Sequence, residues 1–343
     1  MHYFFLFYYK KYLIIIFFIY SLLKINPLNN IYNGPKISVY MPIYNKSKYL
    51  MKSIKSIQDQ TLREIEIIAV NDCSTDDSLS VLKKMVKNDS RIKIVNNDKN
   101  YGLLYTRAMG ILNTTGEYII NVDPDDSLNG NNVLEYLYKI ANKLRVDVIN
   151  FGYLNGNEFN LKCSYFKKVL RQPKLLEHAF TYENQINDFL IWNKLVKRKL
   201  MLKAYEFFKN KIYSEKWNYG EDSIWSILIN KYANSMICIN KIIYLYKSNN
   251  DSLMHIEFNN NRIQDIFKFE EMYRKILNRK KEKKYIIGYI KGLIKDLNII
   301  KNSIKKTKID IKHKLINLLK IYIQDYHISY DIIFNFISLI LNY

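Results

Sequence analysis

The sequence predicts an α/β protein built on a mostly parallel, doubly wound sheet of Rossmann-like type, with helices on both faces and a helical C-terminal extension. Three observations carry this prediction. Short β-rich runs alternate with helix-length stretches over residues 36–151. Several of the β runs end in turns rich in Asn and Asp. The alternation then stops, and a Lys-rich stretch follows.

The expected strands cover residues 36–43, 65–70, 91–95, 118–122 and 146–151. The intervening helices cover 48–58, 77–86, 103–112 and 133–144. Strands separated by helices of this length are joined by crossovers, which makes neighbouring strands parallel. Beyond 152 the pattern predicts helices at 183–190 and 221–232 and a strand at 235–246. Residues 274–320 read as a helical stretch with 16 Lys and Arg against three acids, and 328–343 are apolar and aromatic. The domain plan is therefore an apolar head and linker at 1–35, an α/β half at 36–152, a second half at 153–258 and a basic helical extension at 259–343.

The head, residues 3–23, is apolar except for Lys10 and Lys11. Its unbroken run from Tyr12 to Leu23 is shorter than the roughly 20 residues that cross a bilayer. Counted from Tyr3 the length suffices, with two lysines near the middle. A basic pair before an apolar core also fits a signal peptide, although no small-residue cleavage site follows. The residues leave a single-pass anchor, a signal peptide and a peripheral apolar extension open.

Composition excludes several classes. The 343 residues are 48% hydrophobic and 25% charged, which rules out a disordered, collagenous or multi-span chain. Cys73, Cys163 and Cys238 are too few for a disulfide framework and lack zinc-site spacing. The net charge of +21 suggests an anionic partner: nucleic acid, an anionic membrane or a phosphorylated substrate. Yet 44 of the 53 basic residues are Lys, and Asn, Ile and Tyr are also abundant, as AT-rich codon usage would produce.

In a doubly wound sheet ligands bind beyond the carboxyl ends of the strands, so those ends are where chemistry is sought. The first strand ends in Pro42-Ile43-Tyr44-Asn45, the second in Asn71-Asp72-Cys73-Ser74, and the fourth in Asp123-Pro124-Asp125-Asp126. Three carboxylates within four residues repel one another unless a cation compensates. Hard oxygen donors suit Mg²⁺ or Mn²⁺ bridging to a substrate phosphate. Asp-Pro-Asp-Asp is also good turn chemistry by itself. The chain lacks a Gly-x-Gly-x-x-Gly after the first strand and a P-loop lysine, which argues against a dinucleotide oxidoreductase and a P-loop ATPase.

These segments resemble family 2 glycosyltransferases. The resemblance rests on residues 37–45 (ISVYMPIYN), Gln60-Thr61-Leu62, residues 66–78 (EIIAVNDCSTDDS), Asn100-Tyr101-Gly102 with Arg107, residues 116–126 (GEYIINVDPDD), Trp192-Asn193-Lys194-Leu195 and Gly220-Glu221-Asp222. It implies a GT-A fold, a nucleotide-sugar half followed by an acceptor half, and inverting transfer of a sugar from a nucleotide donor, commonly a UDP-sugar. By the resemblance, Asp72 contacts the nucleotide base, with Pro42, Tyr44 and Asn45 lining its pocket. Asp123 lies near the ribose, Arg107 contacts base or phosphate, and Asp125 with Asp126 holds a divalent metal. Asp222 is the expected catalytic base; a helix-cap role is the alternative reading of Glu221-Asp222. Cys73 stands where the family usually has Gly, and is expected to alter that turn because Cys disfavours positive φ. Trp192, Trp217 and Trp225 are candidates for stacking on sugar or for packing, and His255 for an extra metal or phosphate contact.

The expected partners are a nucleotide-sugar donor, a glycan or lipid-linked acceptor and, through the Lys-rich extension, an anionic membrane. The odd cysteine count and a glycosylation sequon at Asn45 favour a cytosol-facing catalytic domain at the membrane. Two other classes compete: a basic nucleic-acid-binding protein, disfavoured because its aromatics form no stacking motif, and an inactive membrane-associated protein of the same fold.

Overall fold

The computed structural model describes residues 34–156, 158–160, 168–172, 174–175, 190–214, 216–217 and 220–247, together with 265, 268, 271–272 and 275–277. The apolar head at 3–23, the helix expected at 183–190, Cys163, His255 and most of the Lys-rich extension lie outside the described residues.

Among the described residues, ten strands form one sheet in the order β3-β2-β1-β4-β9-β6-β10-β5, with β7 paired to β6 and β8 to β10. The first four are β1 (Ile37–Ile43), β2 (Ile65–Asn71), β3 (Ile92–Asn96) and β4 (Tyr118–Asn121), and all pair in parallel. Helices α1 (Ser47–Gln58), α2 (Ser78–Asn88) and α3 (Leu103–Leu112) follow the first three strands in turn. The remaining elements are β5 (Ser127–Leu128), α4 (Val133–Leu144), β6 (Val148–Asn155), β7 (Glu158–Asn160), β8 (Leu170–Arg171), β9 (Lys194–Lys197), α5 (Arg198–Ser214), α6 (Glu221–Tyr232) and β10 (Ser235–Tyr246).

The central strands are buried on both faces, so their side chains divide between two cores. Val39, Met41, Ile67 and Ala69 pack with Leu50, Ile54 and Ile57 of α1 and Leu134, Leu137 and Ala141 of α4. Tyr40, Ile68, Val70 and Ile119 pack with Leu104, Ala108 and Ile111 of α3, and with residues of α5 and α6. The apolar spacing of α1, residues 50, 54 and 57, is the i, i+4, i+7 stripe that buries one helix face.

The fifth expected strand does not simply extend the parallel set. β9 enters between β4 and β6 and is antiparallel to both. The halves expected to meet at 152 therefore share one continuous sheet. Met272, Ile276 and Leu277 are also buried among α3, α5 and α6, so this part of the region assigned to the extension belongs to the domain core. Lys231 caps the Ile276 carbonyl there.

One close approach fixes the sheet, and one side chain ties the helices beside it. A side chain at Gly116 would come within 2.5 Å of Ser38 Oγ and 2.6 Å of its backbone nitrogen. The Gly116 N–H instead donates to Ser38 Oγ at 2.7 Å, and that hydroxyl donates to buried Glu66 at 2.6 Å. Gln60, buried beyond α1, donates to the Ser56 and Gly130 carbonyls and accepts from Leu134 N–H. The Gln-Thr-Leu motif is thus a tie between α1, the loop after β5 and α4.

Candidate active site

The carboxyl ends of β1, β2 and β4 converge, and each places one part of the expected donor pocket. On β1, pairing with β4 stops at Tyr40↔Asn121, so Pro42 lies past the last residue that would need to donate to that neighbour. Tyr44 follows with 46% exposure. Asn45 is a clamp on the next turn. Its Oδ1 accepts the Thr75 N–H at 2.8 Å and its Nδ2 donates to Thr75 Oγ1 at 3.1 Å.

The turn after β2 keeps its left-handed residue although the glycine is absent. Cys73 adopts φ 55°, so the expected change of turn does not occur. The backbone accepts the strain instead, of the order of 1–3 kcal/mol for such a residue. Beside it, Asp72 is buried and accepts three hydrogen bonds: from Asn97 Nδ2 at 2.8 Å, Tyr101 N–H at 3.0 Å and Gly102 N–H at 2.9 Å. Gly102 has φ 90°, a conformation that glycine adopts without a side-chain clash. Asp72 therefore shapes the Asn-x-Gly loop beside the end of β2.

Arg107, on α3, is buried beneath the site rather than extended into it. Its Nη1 donates to Asn121 Oδ1 at 2.8 Å. Its Nη2 lies 3.1 Å from Asp222 Oδ1 and 3.5 Å from Asp123 Oδ1, and its Nε lies 3.4 Å from Glu221 Oε1. One guanidinium thus faces three carboxyls. Burial raises the Glu221 carboxyl, with Asp222 adding to the rise and Arg107 opposing it. Burial likewise raises Asp123, opposed by Arg107 and reinforced by Asp222 and Asp125. Tyr40 is buried against the same guanidinium, and Gly110 makes room for it, because a Cβ there would lie 2.8 Å from the Tyr40 ring.

The base candidate is delivered by α6. Gly220 occupies the cap position with φ 77°, and no side chain caps the helix. Asp222 sits in the first turn, where the helix dipole favours a carboxylate, and its side chain turns to Arg107. The capping role does not account for it.

The Asp123–Asp126 turn divides its acids. Asp123 joins the Arg107 cluster. Asp125 pairs with Lys46 Nζ at 2.7 Å. Asp126 is buried, and both its oxygens are engaged: Tyr244 OH donates to Oδ2 at 2.8 Å and Lys247 N–H to Oδ1 at 2.7 Å. Burial pushes its carboxyl up to about 8. Asp126 is placed as a buckle, and Asp125 with Asp123 remain as carboxylates for a cation. No group of three or more potential metal ligands is gathered among the described residues. Two hard-oxygen carboxylates nevertheless fit Mg²⁺ or Mn²⁺, which commonly takes one or two carboxylates and completes its shell with phosphate and water.

Trp217 and Trp225 are buried in the core and unavailable to a sugar. Trp192 is 6% exposed and stacks on Tyr244 at 4.8 Å and Tyr246 at 5.5 Å. Cys238 is disulfide-bonded, and Cys73 is the free cysteine among the described residues, so cysteine count no longer argues for one side of a membrane. Sequence reasoning gave no role to Lys46, Asn121 or Tyr244, and gave Glu221 only the helix-cap alternative. For Tyr244, position in a β run was the sole signal, because the partners it joins lie 118 and 121 residues away.

The site is thus an α/β sheet whose acidic strand ends face a helix-borne carboxylate. Residues 38–203 match the model of glycosyl transferase family 2. Over 230 residues it is 32% identical to the glycosyltransferase GlyA of Streptococcus pneumoniae, covering 64% of this chain and 32% of that protein. The chain thus spans about a third of GlyA's length. It is 28% identical over 220 residues to the GalNAc(5)-diNAcBac-PP-undecaprenol beta-1,3-glucosyltransferase of Campylobacter jejuni, covering 62% of this chain and 65% of that one. The structure of S. aureus TarS residues 1–349 in complex with UDP-GlcNAc superposes with a TM-score of 0.65 at 20% identity, over 90% of this chain and 89% of that chain, and establishes the shared fold.

Proposed function

We propose that the protein is an inverting glycosyltransferase that moves a sugar from a UDP-sugar to a hydroxyl of a glycan or lipid-linked glycan. The observation that carries this reading is the Arg107 cluster, which brings a donor-side carboxylate, Asp123, and a base-side carboxylate, Asp222, to one guanidinium. The base of the nucleotide lies between Tyr44 and the loop held by Asp72, and Asp123 meets the ribose. Asp125, with Asp123, would hold Mg²⁺ or Mn²⁺, and the cation would supply charge to offset that developing on the departing diphosphate. Asp222 takes the proton of the acceptor hydroxyl as its oxygen bonds to the anomeric carbon and the bond from that carbon to the diphosphate oxygen breaks. Arg107 keeps Asp222 oriented. The products are the glycosylated acceptor, with the anomeric configuration inverted, and UDP.

The lipid-linked acceptor class is supported by the name of the Campylobacter relative. It agrees with a catalytic domain that works at a membrane. Among the described residues no helix is long and apolar enough to cross one, and any anchoring falls to the remaining segments. A panel of nucleotide sugars with Mn²⁺, scored by UDP release, tests the proposal. UDP release from one or a few UDP-sugars is the expected result. No hydrolysis or transfer with any nucleotide sugar would reject it.

A further inference from the structure

Tyr244 connects the two halves of the site in a way the reaction scheme above does not use. It lies on β10, which belongs to the acceptor half, and its side chain is wholly buried. Its hydroxyl accepts the Asp123 N–H at 3.0 Å and donates to Asp126 Oδ2 at 2.8 Å. One oxygen therefore holds both ends of the Asp123–Asp126 turn. The next link is the ring, which stacks on Trp192 at 4.8 Å with an interplanar angle of 25°. Tyr153 meets the edge of the same indole at 4.7 Å. Trp192 begins the Trp-Asn-Lys-Leu segment that leads into β9, and the Asn193 carbonyl accepts the Phe151 N–H at 3.1 Å. Both neighbours of Tyr244 across the sheet are fixed as well: Leu128 of β5 and Tyr153 of β6.

A side chain used only to fill the core would not need its hydroxyl aimed at the acidic turn. Had phenylalanine stood at 244, the Asp123 N–H and one oxygen of Asp126 would have lost partners in a buried place, where an unmet polar group is costly. We propose that Tyr244 is a positioning residue for transfer: its hydroxyl sets the shape of the Asp123–Asp126 turn that receives the donor diphosphate, and its ring ties that shape to Trp192 in the acceptor half. This inference rests on the proposed glycosyltransferase reading. It assigns Asp126 to the buckle rather than to the metal, and leaves Asp125 and Asp123 to face the donor.

The test is Tyr244→Phe, with Tyr118→Phe as the comparison. Tyr118 OH donates to the Val146 carbonyl at 2.8 Å, so its loss removes an equally buried hydrogen bond away from the turn. Donor hydrolysis by the full chain is followed as UDP release, which needs no acceptor. Wild-type turnover is measured first, so an absence of activity there rejects the functional reading and leaves the role of Tyr244 to be read from UDP–Mn²⁺ affinity by calorimetry. For Tyr244→Phe the donor KM and the Mn²⁺ half-saturation are each expected to rise about tenfold, whereas Tyr118→Phe should leave both within twofold of wild type. A Tyr244→Phe protein whose melting temperature drops like that of Tyr118→Phe, but whose donor KM and Mn²⁺ requirement stay within twofold, overturns the proposal. If Tyr244→Phe does not fold, Trp192→Phe decides the matter. A severalfold rise in donor KM supports the link, and an unchanged donor KM refutes it.

Discussion

Arg107 Nη2 lies 3.1 Å from Asp222 Oδ1, and the same nitrogen lies 3.5 Å from Asp123 Oδ1. The residue assigned to the reaction as base and the residue assigned to the donor are therefore positioned by one buried cation. The two carboxylates are 99 residues apart in the chain. The strand ends of a doubly wound sheet and the first turn of α6 bring them together.

Removing that cation should be costly. In Arg107→Ala, Glu221, Asp222 and Asp123 lose their shared partner, and breaking a buried ion pair in this way costs about 3–5 kcal/mol. Urea denaturation of the variant checks this, and a loss below about 1 kcal/mol would show that the cluster is solvated in solution. Arg107→Lys should recover part of the stability, because a point charge replaces some of the fork's contacts.

Glu221 makes stability depend on pH. Burial raises its carboxyl in the folded protein above its usual value near 4.5. Between those two values the unfolded chain has released a proton that the folded chain still holds. The contribution is therefore fully present below about pH 4.5 and is lost as the pH rises through the folded value. Urea midpoints measured from pH 5 to 8 should fall, and Glu221→Gln should flatten that slope. An unchanged slope in the variant would place the titration elsewhere.

Asp125 is expected to act through the cation. Asp125→Ala should weaken UDP-sugar binding in Mn²⁺ and change it little in chelator. Calorimetry that shows equal loss under both conditions would instead assign Asp125 to its pair with Lys46.

Gly116→Ala probes the fold without touching the site. The added Cβ meets the Ser38 backbone, which has nowhere to go inside β1, and overpacking of this kind costs about 1–3 kcal/mol. Thermal unfolding should show the loss, while UDP release per folded molecule stays at the wild-type rate.

The parallel half of the fold was legible because each of its strands is a short apolar run bounded by polar turns, and each helix repeats its apolar residues at helical spacing. β9 was not. Four residues long, with Lys194 and Lys197 at its ends, it gives no apolar run, and it becomes a strand because β4 and β6 flank it on both sides. At the site, the acids could be found by their place at strand ends, but their division of labour could not. Whether Asp126 faces a metal or Tyr244 depends on a strand that returns more than a hundred residues later. Cys73 shows the opposite limit: a local rule against positive φ was overridden by a turn fixed from both sides.

The central claim is that Asp222 acts in transfer and not in donor binding. The direct measurement is one preparation of Asp222→Asn, assayed for UDP–Mn²⁺ affinity by calorimetry and for acceptor-dependent UDP release. The account predicts affinity within about twofold of wild type and transfer reduced by at least about 10²-fold, the scale of a lost general base. Transfer at the wild-type rate would contradict it.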